Sequence, residues 1–295
     1  MSLPVKEILS IAEKRLDAHG DKDAKVDAKD LYCFMMNIGR NDIVLEYQNT
    51  LQDVLCDRYF ELIDRRCAGE PTQYITSSQH FMGLDFFVDS RVLIPRMDTE
   101  AVVERATSII EEEQRNHRRS FRILDLCTGS GAIGLSIARL YKDAEVILTD
   151  ISKDAIEVAK INADRLGLRK KVDFRTGDLF SPFKGFMKKQ KFDLIISNPP
   201  YVPTETIETL QTEIRDFEPK SALDGGDDGL DFYRRVIAEA HLFMKKSSHL
   251  ILEIGDNQGD AVKELMKAEG TYTDIEIGQD LSGRNRMVVC RLRQS

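Results

Sequence analysis

Between about Leu3 and Cys67 the apolar positions recur three and four residues apart. VKEILSIAEKRL and NDIVLEYQNTLQDVLCDRYFELIDRRC carry this spacing with no internal Pro or Gly, the mark of helices with one apolar stripe. A middle helix is expected through LYCFMMNIG, capped by Asp27 or Asp30 and closed by Gly39. The pattern predicts a small unit of three to five helices. It changes at HFMGLDFFVDSRVLIPR, which is dense in Phe and Val and has Asp89-Ser90 as turn residues; this predicts a β-hairpin.

Beyond the hairpin, apolar runs and amphipathic stretches alternate. FRILDLC, AEVILTD, KVDFRTGD, FDLIIS and HLILEIG read as strands, with GAIGLSIARLY, KDAIEVAKINADRLG and LDFYRRVIAEAHLFM as helices. Such alternation implies a mainly parallel sheet covered on both faces. TDIEIGQD and RMVVCRLR close the chain with a short polar loop between them, so the last strand is expected to be antiparallel. The fold class is α/β, a Rossmann-like sheet behind a small all-helical N-terminal domain. The expected boundaries are 1–78 for the helical domain, 79–96 for a hairpin linker and 97–295 for the sheet domain. The KGFMKKQK run from Lys184 to Lys191 reads as a solvated loop.

Charge and cysteine usage narrow the function classes. A formal charge of −8 argues against broad, sequence-independent gripping of nucleic acid, which needs a cationic surface. The five cysteines are scattered with no CxxC pair, so reduced thiols are expected rather than zinc ligands or disulfides. No apolar run approaches the length of a membrane span, and the first twenty residues lack a signal-peptide core. A cytoplasmic protein without metal or membrane association is expected.

Candidate chemistry begins at FRILDLCTGSGAIGLSIA, where Gly129 and Gly131 occupy the turn after the first strand of the sheet. Ligands of doubly wound sheets sit at this crevice. Gly129 allows torsions closed to other residues, and Gly131 is expected to let a ligand approach the chain. Asp125 is placed to orient the loop or meet an ammonium group. Asp150 ends the next strand, where a carboxylate can accept both hydroxyls of a ribose. Asp178 and Leu179 end the third, where they can hold an adenine by its amine and its face. GSGAIG also satisfies G-x-G-x-x-G through Gly134. These features fit a dinucleotide as well as S-adenosylmethionine, and the glycine turn does not choose between them.

The fourth strand end bears on that choice. FDLIISNPPYVP finishes an apolar strand with an amide, two prolines and an aromatic ring. A planar amide or aromatic amine is a poor nucleophile because its nitrogen lone pair is delocalised. The Asn198 side-chain oxygen and the Pro199 carbonyl can accept its two N–H bonds, and Pro199 and Pro200 make the corner rigid. Tyr201 can lie flat on the acceptor. A corner that grips such a nitrogen suits methyl transfer from a sulfonium, whereas hydride transfer has no evident use for it. His80, His117 and His241 are isolated and read as surface or core residues.

With AGEPTQYI, FMGLDFFVDSRVLIPRMDTE, ILDLCTGSGAIGLSIA, SNPPYVP, FEPKSALDGGDDGLDFYRRV and LILEIGDNQGD, the chain resembles the protein-(glutamine-N5) methyltransferases of peptide-chain release factors. The likeness runs from Arg65 onward. It implies an S-adenosylmethionine-dependent methyltransferase sheet and a helical domain that docks the protein substrate. The acceptor it implies is the glutamine of a release factor's Gly-Gly-Gln loop. Cys127, Thr128, Gly129, Ser130, Gly131, Asp150, Leu179 and Asn198 fall where that family binds S-adenosylmethionine; Asn198 to Tyr201 fall where it holds the glutamine. Asp178 comes from the strand-end reading instead. Cys127 stands where some relatives have Gly, Met97-Asp98 replaces a commoner Pro-Glu pair, and Leu179 replaces an aromatic. Alternative acceptors are a ribosomal-protein glutamine and, with less support from the acidic charge, adenine in DNA.

Overall fold

The computed structural model describes residues 3–117, 120–186 and 191–294. Residues 187–190 of the lysine-rich run therefore lie outside the described residues. The chain forms two compact units, Met1–Ser78 with Gln211–Phe217, and Gln79–Leu210 with Glu218–Ser295.

The first unit contains α1 (Val5–Ala18), α2 (Ala24–Met36), α3 (Ile43–Glu46), α4 (Asp53–Cys67) and α5 (Thr72–Thr76). Val5, Ile8, Ala12 and Leu16 form the buried stripe of α1 and pack with Leu31, Tyr59 and Ile63. The buried Tyr59 hydroxyl donates to the Ala28 carbonyl at 2.7 Å, which satisfies it inside the core.

Two helix expectations are corrected. α2 begins at Ala24, so Asp27 and Asp30 lie within it and cap nothing. Asp27 accepts from Arg66 at 2.7 Å, and Asp30 pairs with Arg40. Asn37, with φ of 53°, ends this helix two residues before Gly39. The expected long helix over 41–67 is two helices, because the Asn49 carbonyl accepts from Val5 N and Thr50 pairs with Pro4. Those long-range backbone bonds compete with the local helical ones. Arg66 gathers Asp21, Asp27 and Glu213 at 3.1, 2.7 and 2.9 Å, and Glu213 belongs to α9 (Thr212–Arg215). That short helix thus joins the first unit although it lies far along the chain.

The second unit opens with a hairpin, β1 (Gln79–Phe81) and β2 (Leu84–Phe86). Its turn is Met82-Gly83, at φ of 50° and 73°, rather than the expected Asp89-Ser90. Positive φ at both central residues matches the twist of a two-residue hairpin. Asp89 instead accepts from Arg91 N and its guanidinium, and shapes an irregular segment running on toward Arg96.

The sheet follows in the order α6 (Glu100–His117), β3 (Arg122–Leu126), α7 (Ala132–Leu140), β4 (Glu145–Asp150), α8 (Lys153–Arg165), β5 (Val172–Thr176) and β6 (Phe192–Ser197). After α9 come α10 (Asp231–Ala240), β7 (Met244–Glu253), α11 (Gly259–Glu269), β8 (Tyr272–Gln279) and β9 (Asn285–Leu292). The strand order is β5-β4-β3-β6-β7-β9-β8, with β9 antiparallel to both neighbours. This is the expected mostly parallel sheet with an antiparallel last strand. β6 is buried throughout, as a strand covered on both faces must be. α6 and α11 were not among the expected helices, although Val102, Val103, Ala106, Ile109 and Ile110 keep helical spacing. Among the described residues no helix is long and apolar enough to cross a membrane.

Candidate functional site

Strand order reverses between β3 and β6, so the carboxyl ends of these neighbours open a crevice. A cavity lies there, walled by both strand ends.

The glycine turn is held from beneath. Asp125 is 1% exposed, and its Oδ2 accepts from Thr128 Oγ1 at 2.5 Å and from Gly134 N at 2.9 Å. Burial pushes its carboxyl up to about 7, opposed by those two donors. Both donors bond Oδ2, and Oδ1 is buried without a hydrogen-bond partner among the described residues; Asp125 does not line the cavity and braces the loop from beneath. Cys127, Thr128, Gly129 and Ser130 line the cavity. Cys127 adopts φ of 57°, and burial raises its thiol to about 12.

The two glycines divide their work differently from expectation. A Cβ on Gly129 would meet nothing within 4 Å, so this residue presents the open face. A Cβ on Gly131 would lie 2.9 Å from Leu135 Cδ1 and 3.3 Å from Ala159 Cβ. Gly131 is needed for helix packing and for its φ of 85°, and it does not line the cavity.

Asp150 reaches the cavity from β4. Its Oδ2 accepts from Gly129 N and its Oδ1 from Ser152 N, both at 2.9 Å. Burial raises its carboxyl and the backbone donors oppose the rise. An ionised carboxylate offers about four acceptor positions, so each oxygen retains capacity for a hydroxyl.

Asp178 and Leu179 stand apart from the cavity lining. Asp178 accepts from Arg235 Nη2 at 2.5 Å, and Leu179 is buried in the apolar cluster with Phe180 and Phe183. Ile151 and Phe232 of α10 do line the cavity. Sequence reasoning missed both; Phe232 stands in the LDFYRR stretch that the periodicity marked as helix.

Asn198 and Pro200 line the cavity, while Pro199 and Tyr201 do not. Among the described residues the Asn198 side chain makes no hydrogen bond. The corner is backed by a loop: Val202 N donates to Leu223 O at 2.9 Å, and Gly225 N to Val202 O at 2.8 Å. Gln258 was also missed, and its Nε2 donates to the Tyr201 carbonyl at 2.9 Å. Burial beside Glu253 raises the Tyr201 hydroxyl, while burial pushes Glu253 up to about 7 against the Thr99 hydroxyl and Arg286. Asp98, of the Met97-Asp98 pair, accepts from Arg286 at 2.9 Å.

Two family profiles match, one described as Methyltransferase domain over residues 117–287 and one as PrmC N-terminal domain over residues 7–76. The Release factor glutamine methyltransferase of Moorella thermoacetica is 39% identical over 292 residues, covering 99% of this chain and 100% of that one. Its namesake from Clostridium acetobutylicum is 37% identical, covering 97% and 98%. The chain belongs to the release factor glutamine methyltransferase family. A solved structure, the human methyltransferase 10 domain containing protein, aligns with a TM-score of 0.54 over 72% of this chain and 88% of that one. At 15% identity this last likeness concerns the fold alone. Within the family frame, the profile over 117–287 spans β3 to β8 and the start of β9, and so contains the glycine turn, Asp150 and the Asn198 corner.

Proposed function

We propose that the chain transfers a methyl group from S-adenosylmethionine to the side-chain amide nitrogen of the glutamine in the Gly-Gly-Gln loop of peptide-chain release factors. The observation that carries this reading is that Asn198 and Pro200 share one cavity with Asp150 and the glycine turn. The donor set suits an adenosyl group: Asp150 keeps acceptor capacity for a ribose diol, and Gly129 leaves the turn open. Bound there, S-adenosylmethionine would supply a methyl group on a sulfonium sulfur.

The chain's own residues act on the acceptor. The Asn198 Oδ1 and the Pro199 carbonyl receive the two N–H bonds of the glutamine amide and aim its nitrogen. With S-adenosylmethionine bound, the amide nitrogen would form the new N–C bond as the S–C bond breaks, with S-adenosylhomocysteine as leaving group and one amide proton passing to solvent. Each hydrogen bond contributes only about 0.5–1.5 kcal/mol. Holding the reactants in attack geometry contributes roughly 7–11 kcal/mol, so rigidity is the larger effect. Pro199 and Pro200 are buried, and Gln258 ties down the carbonyl of Tyr201 behind them. Tyr201, outside the lining of the cavity itself, would meet the acceptor beside Asn198 as a flat apolar contact. A release factor as substrate places the reaction in the cytoplasm.

Incubation with methyl-labelled S-adenosylmethionine, a release factor, ribosomal proteins and DNA tests this reading. Label is expected on the release factor and is expected to vanish when its Gly-Gly-Gln glutamine is replaced. Label confined to a ribosomal protein or to DNA, or label on nothing, overturns it.

A further inference from the structure

Asn162 lies on α8, far from every motif, and is 0% exposed. Its side chain spends both N–H bonds and one acceptor position of its oxygen on the backbone of two other segments. Oδ1 accepts from Phe87 N at 2.6 Å, and Nδ2 donates to Phe87 O at 3.0 Å and to Ser130 O at 2.8 Å. With Phe87 the amide therefore makes the paired donor–acceptor contact that a neighbouring strand would make. Its other N–H reaches the carbonyl of Ser130 in the glycine turn.

One partner lines the cavity, and the other begins a segment that does. Ser130 lines it directly, and the segment that begins at Phe87 supplies Arg91, Val92, Leu93 and Pro95 to the same lining. The far end of that segment is tied separately, by Gln79 Nε2 donating to Pro95 O at 3.1 Å and by Arg96 on Glu218 at 2.7 and 2.8 Å. At the near end Arg165, one turn along α8, lies 4.7 Å over the Phe87 ring. Among the described residues no other side chain of this helix bonds both segments at once.

We infer that Asn162 is a positioning residue for the adenosyl ligand, clasping the 87–95 segment to the glycine turn so that two walls of the cavity keep one spacing. A buried asparagine that served packing alone would satisfy its amide within its own neighbourhood. This one bridges two segments that, among the described residues, share no hydrogen bond through another side chain on α8. The inference rests on the reading of the cavity as an adenosyl site.

Asn162→Asp keeps the shape and the acceptor for Phe87 N, but sets an oxygen against the Phe87 and Ser130 carbonyls. Asn162→Ser removes the reach to both. Calorimetry with S-adenosylhomocysteine is expected to show affinity weakened about tenfold or more, the size of one buried hydrogen bond lost. Turnover at saturating S-adenosylmethionine and the KM for the protein acceptor are expected to stay near parental values, which a general loosening of the fold would not allow. In the parental protein, hydrogen exchange should show the 87–96 and 128–131 peptides gaining protection together when S-adenosylhomocysteine binds. Parental affinity in both folded variants, loss of acceptor KM in step with ligand affinity, or protection of the turn without the 87–96 segment each overturns the inference. If the parental protein itself fails to bind S-adenosylhomocysteine, it is the adenosyl reading that falls, and this inference with it.

Discussion

In an Asp150→Asn variant, one carboxylate oxygen becomes an NH2 group where both oxygens now accept backbone N–H bonds, from Gly129 and Ser152 at 2.9 Å each. Whichever way the amide turns, its NH2 faces a donor, and one backbone N–H is left without an acceptor. A buried donor orphaned in this way costs about 1–3 kcal/mol. Burial already penalises the ionised Asp150, and the variant is spared that penalty. The loss of stability should therefore lie at the lower end, about 1 kcal/mol. Affinity should suffer more. A hydrogen bond to a charged acceptor contributes about 1.5–3 kcal/mol, so losing one for a ribose hydroxyl weakens binding about 10- to 150-fold. Calorimetry with S-adenosylhomocysteine and with adenosine should give the same ratio, because both carry the ribose. 2′,3′-Dideoxyadenosine, which lacks the hydroxyls, should bind parent and variant alike. Weakening of less than about threefold, or equal sensitivity of the dideoxy analogue, would refute the assignment of Asp150 to the ribose.

Three further outcomes follow from the geometry. Asn198→Ala should abolish methyl transfer while leaving S-adenosylhomocysteine affinity near parental; a variant that turned over at the parental rate would remove the gripping role of this side chain. Gly131→Ala should cost about 2 kcal/mol or more, because the methyl meets Leu135 at a positive φ, whereas Gly129→Ala should cost less stability but more ligand affinity. Equal melting temperatures for the two alanine variants would contradict that division of labour. Glu253 is raised by burial from the usual 4.5 to about 7, so the folded protein holds this proton more tightly than the unfolded chain does. Its contribution to stability is full below about 4.5 and is lost as pH rises through about 7, by up to ~3 kcal/mol. Glu253→Gln keeps the neutral form throughout, so the variant's melting temperature should gain on the parent's between pH 5 and pH 8; parallel curves would exclude a buried proton at this site.

Parts of the site were legible because they depend on local backbone chemistry. A tight turn between β3 and α7 needs glycine, a strand end can carry an acid, and two adjacent prolines stiffen any corner; Gly129, Asp150 and Asn198 were found on those grounds. The hairpin turn was misplaced because Asp89-Ser90 has stronger turn composition than Met82-Gly83, yet strand pairing selected the latter. Asp178 illustrates the opposite limit. A strand-end carboxylate is free for a ligand only if no cation claims it, and Arg235 lies 57 positions away.

Periodicity, glycine placement and the Asn-Pro-Pro-Tyr corner determined by themselves the α/β class, the strand sequence and the crevice at which chemistry would be sought. Tertiary structure alone decided which side chains face that crevice. It turned Leu179 into the core and brought Phe232 to the wall, gave Gly131 to helix packing, and set Asn162 and Gln258 behind the loops they hold. The physical reason is that spacing along a chain specifies torsions and faces within one element, whereas a hydrogen bond between Asn162 and Phe87 spans 75 positions and exists only once the sheet has assembled.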